Sequence, residues 1–110
     1  MAYDEVLEAR VRSALPDGLT VQGKRMFGGM GFMLNGNMAC GIIQDTLIVR
    51  VGPESYEQAL AERHVKEFDM TGRPMQGWVQ VEQAGIAGDE ALHRWVMKGF
   101  DFAGSLPPKL

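Results

Sequence analysis

Residues 24–51, KRMFGGMGFMLNGNMACGIIQDTLIVRV, decide the fold. They read as three consecutive β-strands. Met26-Phe27 ends the first, Met30–Leu34 and Asn37–Gln44 flank a tight turn at Asn35-Gly36, and Thr46–Val51 follows a second turn at Asp45. Asn-Gly between apolar runs is a strong hairpin signal, because a type I′ turn needs positive φ at both central residues. Gly28, Gly29 and Gly31 mark a bulge or sharp bend where backbones come close. Alternation puts Met38, Cys40 and Ile42 on one face and Ala39, Gly41 and Ile43 on the other. In the next strand Leu47, Val49 and Val51 oppose Ile48 and Arg50. Both faces are partly apolar, more than a sheet with one wet face needs, so the second face should be covered.

The flanks add helices. Tyr3–Leu15 is amphipathic, with Leu7, Val11, Ala14 and Leu15 on one side, and Pro16-Asp17-Gly18 stops it. Leu19–Arg25 alternates as a strand. Gly52-Pro53 opens a second helix, Pro53–Arg63, with Tyr56, Ala59 and Leu60 buried. Phe68–Met70 and Gly77–Glu82 bracket a turn at Thr71-Gly72-Arg73-Pro74, giving a second hairpin or a loop and one strand. The clearest helix comes last: Asp89 is the expected N-cap, and Leu92, Trp95, Val96, Gly99, Phe100 and Ala103 recur at helical spacing. Gly104 ends it. Residues 1–104 thus form one α+β domain, and residues 105–110 an exposed tail.

A chain of 110 residues is one domain with room for a core. Its 45% hydrophobic and 23% charged residues are those of an ordinary soluble globular protein, and no apolar run could span a bilayer. The acidic start MAYDEVLEAR lacks a signal peptide's basic segment, which points to the cytoplasm. One cysteine, Cys40, cannot form an internal disulfide. The net charge of −3 argues against direct DNA binding and for solvated roles of Lys24, Arg25, Arg50 and Arg73.

Chemistry is sparse. The glycine spacing matches neither GxGxxG nor GxxxxGK[ST], so no nucleotide loop is expected. His64 and His93 are far apart, no metal-ligand spacing exists, and no cofactor is implied. Cys40 reads as a buried, unreactive hydrophobe, and Ser13, Ser55 and Ser105 have no elbow around them. The reading is therefore non-enzymatic. Met26, Met30, Met33 and Met38 crowd the central stretch beside Phe27 and Phe32, filling a core or forming a re-packable surface. Phe27, Met33, Ile43, Ile48 and Trp78 are expected on the sheet face opposite the helices, where an apolar patch marks an interface.

Several segments together resemble the N-terminal domain of the TfoX (Sxy) family. They are Lys24-Arg25-Met26-Phe27-Gly28-Gly29 with Gly31, the Asn35-Gly36 turn, and Leu47-Ile48-Val49-Arg50-Val51. The Tyr56 helix, Phe68 with Gly72-Arg73-Pro74, Trp78, Trp95 and Ser105–Lys109 extend the resemblance over nearly the whole chain. It implies a two-layer α+β domain with an antiparallel sheet and the order α-β-β-β-α-β-β-α, which the elements above also give. Two-domain members regulate natural competence, acting on transcription with the cyclic-AMP receptor protein. This chain departs from them in ending at Leu110, as a single-domain member would, and the resemblance brings no catalytic residues.

The expected function is a regulatory interaction module that binds a protein or a second copy of itself. Phe27, Met33, Ile48 and Trp78 are its apolar contacts, and Arg25 and Arg50 its polar ones. The alternative is a domain that binds a small anionic or apolar ligand, or a weak enzyme, with a pocket near the Gly28–Gly31 bend lined by Arg25, Arg50 and Arg73.

Overall fold

Asn35 and Gly36 adopt φ of 53° and 82° in the computed structural model, which describes residues 3–26, 28–69 and 72–109. These are the two left-handed residues a type I′ turn demands. They join β2 (Gly29–Leu34) to β3 (Asn37–Ile43), and β4 (Thr46–Arg50) follows after Gln44, itself at φ 56°. On the other side, β1 (Val21–Met26) pairs with β2 so that Met26 faces Gly29 directly. Gly28, at φ 74°, lies in that reversal.

The remaining elements are α1 (Glu5–Ser13), α2 (Tyr56–Leu60), β5 (Val65–Asp69), β6 (Pro74–Val81), a 3-10 turn (Gln83–Gly85) and α3 (Asp89–Gly104). The six strands form one antiparallel sheet in the order β1-β2-β3-β4-β6-β5. The helices make the second layer: α3 lies across β3 and β4, α1 beside α3, and α2 against β5 and β6. The two-layer α+β architecture is the one expected. The order before α2 holds four strands, one more than the expected β-β-β, and they correspond one for one to the segments Leu19–Arg25, Met30–Leu34, Asn37–Gln44 and Thr46–Val51.

Other boundaries shift for local reasons. The second helix is only Tyr56–Leu60, with Pro53–Ser55 in turns, and His64 at φ 67° directs the chain into β5. Asp89 is not the cap of α3: Gly88 takes that position, and Asp89 is the first helical residue. There its carboxylate favours the positive helix end and accepts from Arg10 Nη2 at 3.2 Å. The same guanidinium donates to the Ile86 carbonyl at 2.8 Å, which ties α1 to the segment entering α3. Asp4 caps α1, accepting from the amides of Val6 and Leu7.

One bulge changes the face assignment of β3. Phe32 faces Cys40, but Met33 faces Met38, so Ala39 is the extra residue. Ala39 therefore joins Cys40 and Ile42 in the core under the helices, while Met38 turns to the opposite face with Gly41 and Ile43. The expectation that Met38 shares a face with Cys40 and Ile42 is corrected by that one residue. The core itself joins Phe32, Cys40, Ile42, Leu47, Val49, Val79 and Val81 of the sheet to Val11, Leu92, Trp95, Val96 and Phe100 of the helices.

At the centre of α3, Gly99 faces the bulge. A Cβ there would collide with the carbonyl oxygen of Ala39 and crowd its carbonyl carbon. Alanine gains about 1 kcal/mol in helix propensity over glycine, but the helix would have to lift from the sheet. Gly99→Ala is expected to lower stability by about 1–3 kcal/mol, read as an earlier urea midpoint; a later midpoint would show that the close approach is not needed.

On α1, Glu8 accepts from Tyr3 Oη at 2.9 Å and from Arg12 Nε and Nη2 at 3.0 and 2.9 Å. The Arg12 hydrogen bonds hold its carboxyl below the ordinary value of 4.5. A carboxylate whose folded pKa is depressed stabilises the fold above its unfolded pKa, and loses that contribution as pH falls through the folded one. The stability gap between the native chain and Glu8→Gln is therefore expected at pH 7 and should close in acid below the usual carboxylate range. Urea titrations of both chains across that range measure it.

Candidate functional site

The face of the sheet turned away from the helices is built by strand alternation. Gly31 and Gly41 face each other across β2 and β3, Gly41 faces Ile48 of β4, and Arg50 faces Trp78 of β6. Ile48 and Phe68 are buried, 1% and 7% exposed, yet stand outside the core beneath the helices. They belong to a second, smaller apolar layer. Among the described residues no helix lies over it, and only its own long side chains shield it, so the cover expected for this face is partial.

The glycine pair makes room for that cover. A Cβ on Gly31 would come within 2.8 Å of Met26 Sδ, and one on Gly41 within 2.6 Å of the Met38 methyl. Two thioether side chains thus lie directly over adjacent glycines of neighbouring strands. Met33 and Met75 extend the lining, with Met33 half-buried and Met75 36% exposed. Between them runs a groove of about 280 Å³, walled by Ile43, Ile48, Phe68 and Trp78, with Arg50 and Lys109 among its polar residues. Phe68 and Trp78 meet at 6.4 Å between ring centroids, tilted by 43°.

Arg50 is the groove's structured charge. Its guanidinium carbon sits 5.2 Å from the Trp78 ring centroid and 5.4 Å from that of Phe102 on α3, where the ring quadrupole attracts a cation. Lys109 arrives from the C-terminal segment. Its amide donates to the Asn35 carbonyl at 2.8 Å, and Asn37 Nδ2 donates to the Pro107 carbonyl at 3.0 Å. The side chains of residues 105–109 are mostly exposed, but their backbone is fastened to the β2–β3 turn.

The structure brings Met33, Ile43, Ile48, Trp78 and Arg50 together, as the sequence suggests. Phe27 lies outside the described residues. Arg25 is not near Arg50: it faces Met30 across β1 and β2, on the helix side, where its charge acts on Tyr3 and Glu8. Arg73 is exposed in the β5–β6 turn and does not line the groove. The groove also lies over β2–β4 and β6, not in a pocket bounded by Arg25, Arg50 and Arg73. Sequence reasoning missed Phe68, Met75 and Lys109 in the groove lining, and Phe102 as a ring beside Arg50. Only Phe68 had a signal, its position two residues after Lys66 on one strand face.

The other reactive groups are dispersed. Cys40 is fully buried, and burial pushes its thiol up to about 12. His64 and His93 are exposed, and among the described residues no group of three or more His, Cys, Asp or Glu could hold a metal ion. No helix among them is long and apolar enough to cross a membrane.

Fold and face together define a small two-layer α+β domain with an open, methionine-lined sheet surface. The family model of the TfoX N-terminal domain matches residues 14–103, and the chain belongs to that family. No curated protein matches the chain.

A thiol so raised by burial should be silent to disulfide reagents. At pH 8 the native chain is expected to react with 5,5′-dithiobis(2-nitrobenzoate) only as fast as it unfolds, and in urea at the rate of an open thiol. Fast reaction of the folded chain would contradict the burial of Cys40.

Proposed function

We propose that this domain is a non-enzymatic protein-interaction module with a regulatory role, and that a second copy of the chain docks on its uncovered sheet face. The observation that carries the reading is the second apolar layer itself. Partly exposed Met33, Ile43, Met75 and Trp78 form an apolar centre on a face over which no helix lies among the described residues, with Lys24 and Gln80 on the same side. An apolar centre with a polar surround is the anatomy of a protein interface. A closed two-fold pair needs only one such self-complementary surface. The dispersal of Cys40, His64 and His93 supports a binding role over a catalytic one.

The experiment is the mass in solution by light scattering, for the native chain and for Met33→Glu combined with Ile43→Glu. Both residues are half-buried at the face, outside the core beneath the helices. A native dimer is expected, and a folded monomer for the double variant, since two buried and unpaired carboxylates at the contact are costly. A native chain that stays monomeric into the millimolar range overturns the self-pairing.

A further inference from the structure

We propose that the groove on the open face binds a small amphiphilic carboxylic acid, its apolar body among the methionines and its carboxylate on Arg50. The inference goes beyond the pairing of two copies and does not rest on it, because groove and arginine belong to the single chain. Three observations support it.

The first is shape and lining. At about 280 Å³ the groove falls near the lower end of small-molecule sites, about 300–1,000 Å³. Its walls are apolar with few polar groups, as in such sites. The lining is also adaptable. Met26 and Met38 lie over a floor of paired glycines, and an unbranched thioether can move aside for an alkyl chain at little cost.

The second is Arg50. Among the described residues the ion pairs engage Arg10, Arg12, Lys66 and Arg94, and Arg50 has neither a carboxylate nor a hydrogen-bond acceptor. What it has is two aromatic rings, Trp78 and Phe102, which hold the guanidinium at the groove while its N–H edges stay unused. A planar fork so held matches a carboxylate in two parallel hydrogen bonds and loses little entropy on binding.

The third is charge balance. The half-buried Arg50 guanidinium neutralises one negative charge beside the apolar walls, while the second cation of the lining, Lys109, is exposed to solvent. A carboxylate brings one, whereas a phosphate monoester brings nearly two at neutral pH and would leave the excess beside apolar walls. The one-to-one match selects the carboxylate.

The test is titration of the purified chain with octanoate, decanoate, decanol and decyl phosphate, followed by calorimetry and by tryptophan fluorescence, to which Trp78 at the groove and the buried Trp95 both contribute, with mass measured on the same samples. Decanoate is expected to saturate one site per chain and to bind roughly fourfold more tightly per added methylene than octanoate. It should exceed decanol by roughly ten- to a hundredfold, the worth of a hydrogen bond to a charged group. Arg50→Met should abolish that preference while decanol binding persists, which separates loss of the anchor from loss of the fold; Arg50→Lys should keep only part of it. Equal affinity for decanoate and decanol in the native chain, tighter binding of decyl phosphate, or absence of saturable binding each overturns the proposal.

Discussion

The distance between α3 and the β3 bulge governs the rest of the structure. Gly99 carries no side chain, so the helix rests on the backbone of Ala39 itself. That proximity lets Trp95, Val96 and Phe100 reach across to Val49 and Val79 in one continuous core. The bulge is the other half of the contact. By adding one residue to β3 it raises Ala39 toward the helix, and by the same shift it sends Met38 to the far side. One inserted residue thus seats a helix and furnishes the opposite face.

What was legible in the sequence was the chemistry of single positions and short repeats. Asn35-Gly36 announced its turn because few other residue pairs tolerate two positive φ values. The last helix was legible because Leu92, Trp95, Val96, Gly99, Phe100 and Ala103 fall on one stripe. The alternation of β4 held, since nothing interrupts it. The alternation of β3 did not hold between Met38 and Cys40, because a bulge depends on how the partner strand is seated and leaves no local mark. Arg25 was expected beside Arg50 for a related reason: its side is fixed by the register of β1 on β2, which a turn decides. Lys109 reaches the groove and Phe102 reaches Arg50 from distant parts of the chain, and contacts of that kind have no periodic signature.

The two apolar layers differ in kind. Beneath the helices, branched and aromatic residues fill the space in fixed shapes, and Cys40 is shut away with them. Across the sheet the filling is mostly methionine laid over glycine, backed by Ile48 and Phe68. The first arrangement specifies a fold and the second leaves a surface able to change shape. The chain belongs to the TfoX N-terminal domain family, and its sheet has both a stiff side and a compliant one.

The strand order has a further consequence for how the molecule is made. β1 to β4 pair with their neighbours in sequence, so this meander can assemble as it leaves the ribosome. β6 cannot join it until α2 and β5 have also emerged, and it then slots between β4 and β5. The helix that seals the core, α3, is the last element described. During synthesis the meander therefore waits with only α1 available to its helix side, and strands exposed in that interval are open to wrong pairing. In the finished sheet the outer strands are β1 and β5, and charges such as Lys24, Arg25, Lys66 and Glu67 disfavour pairing of those edges with other chains.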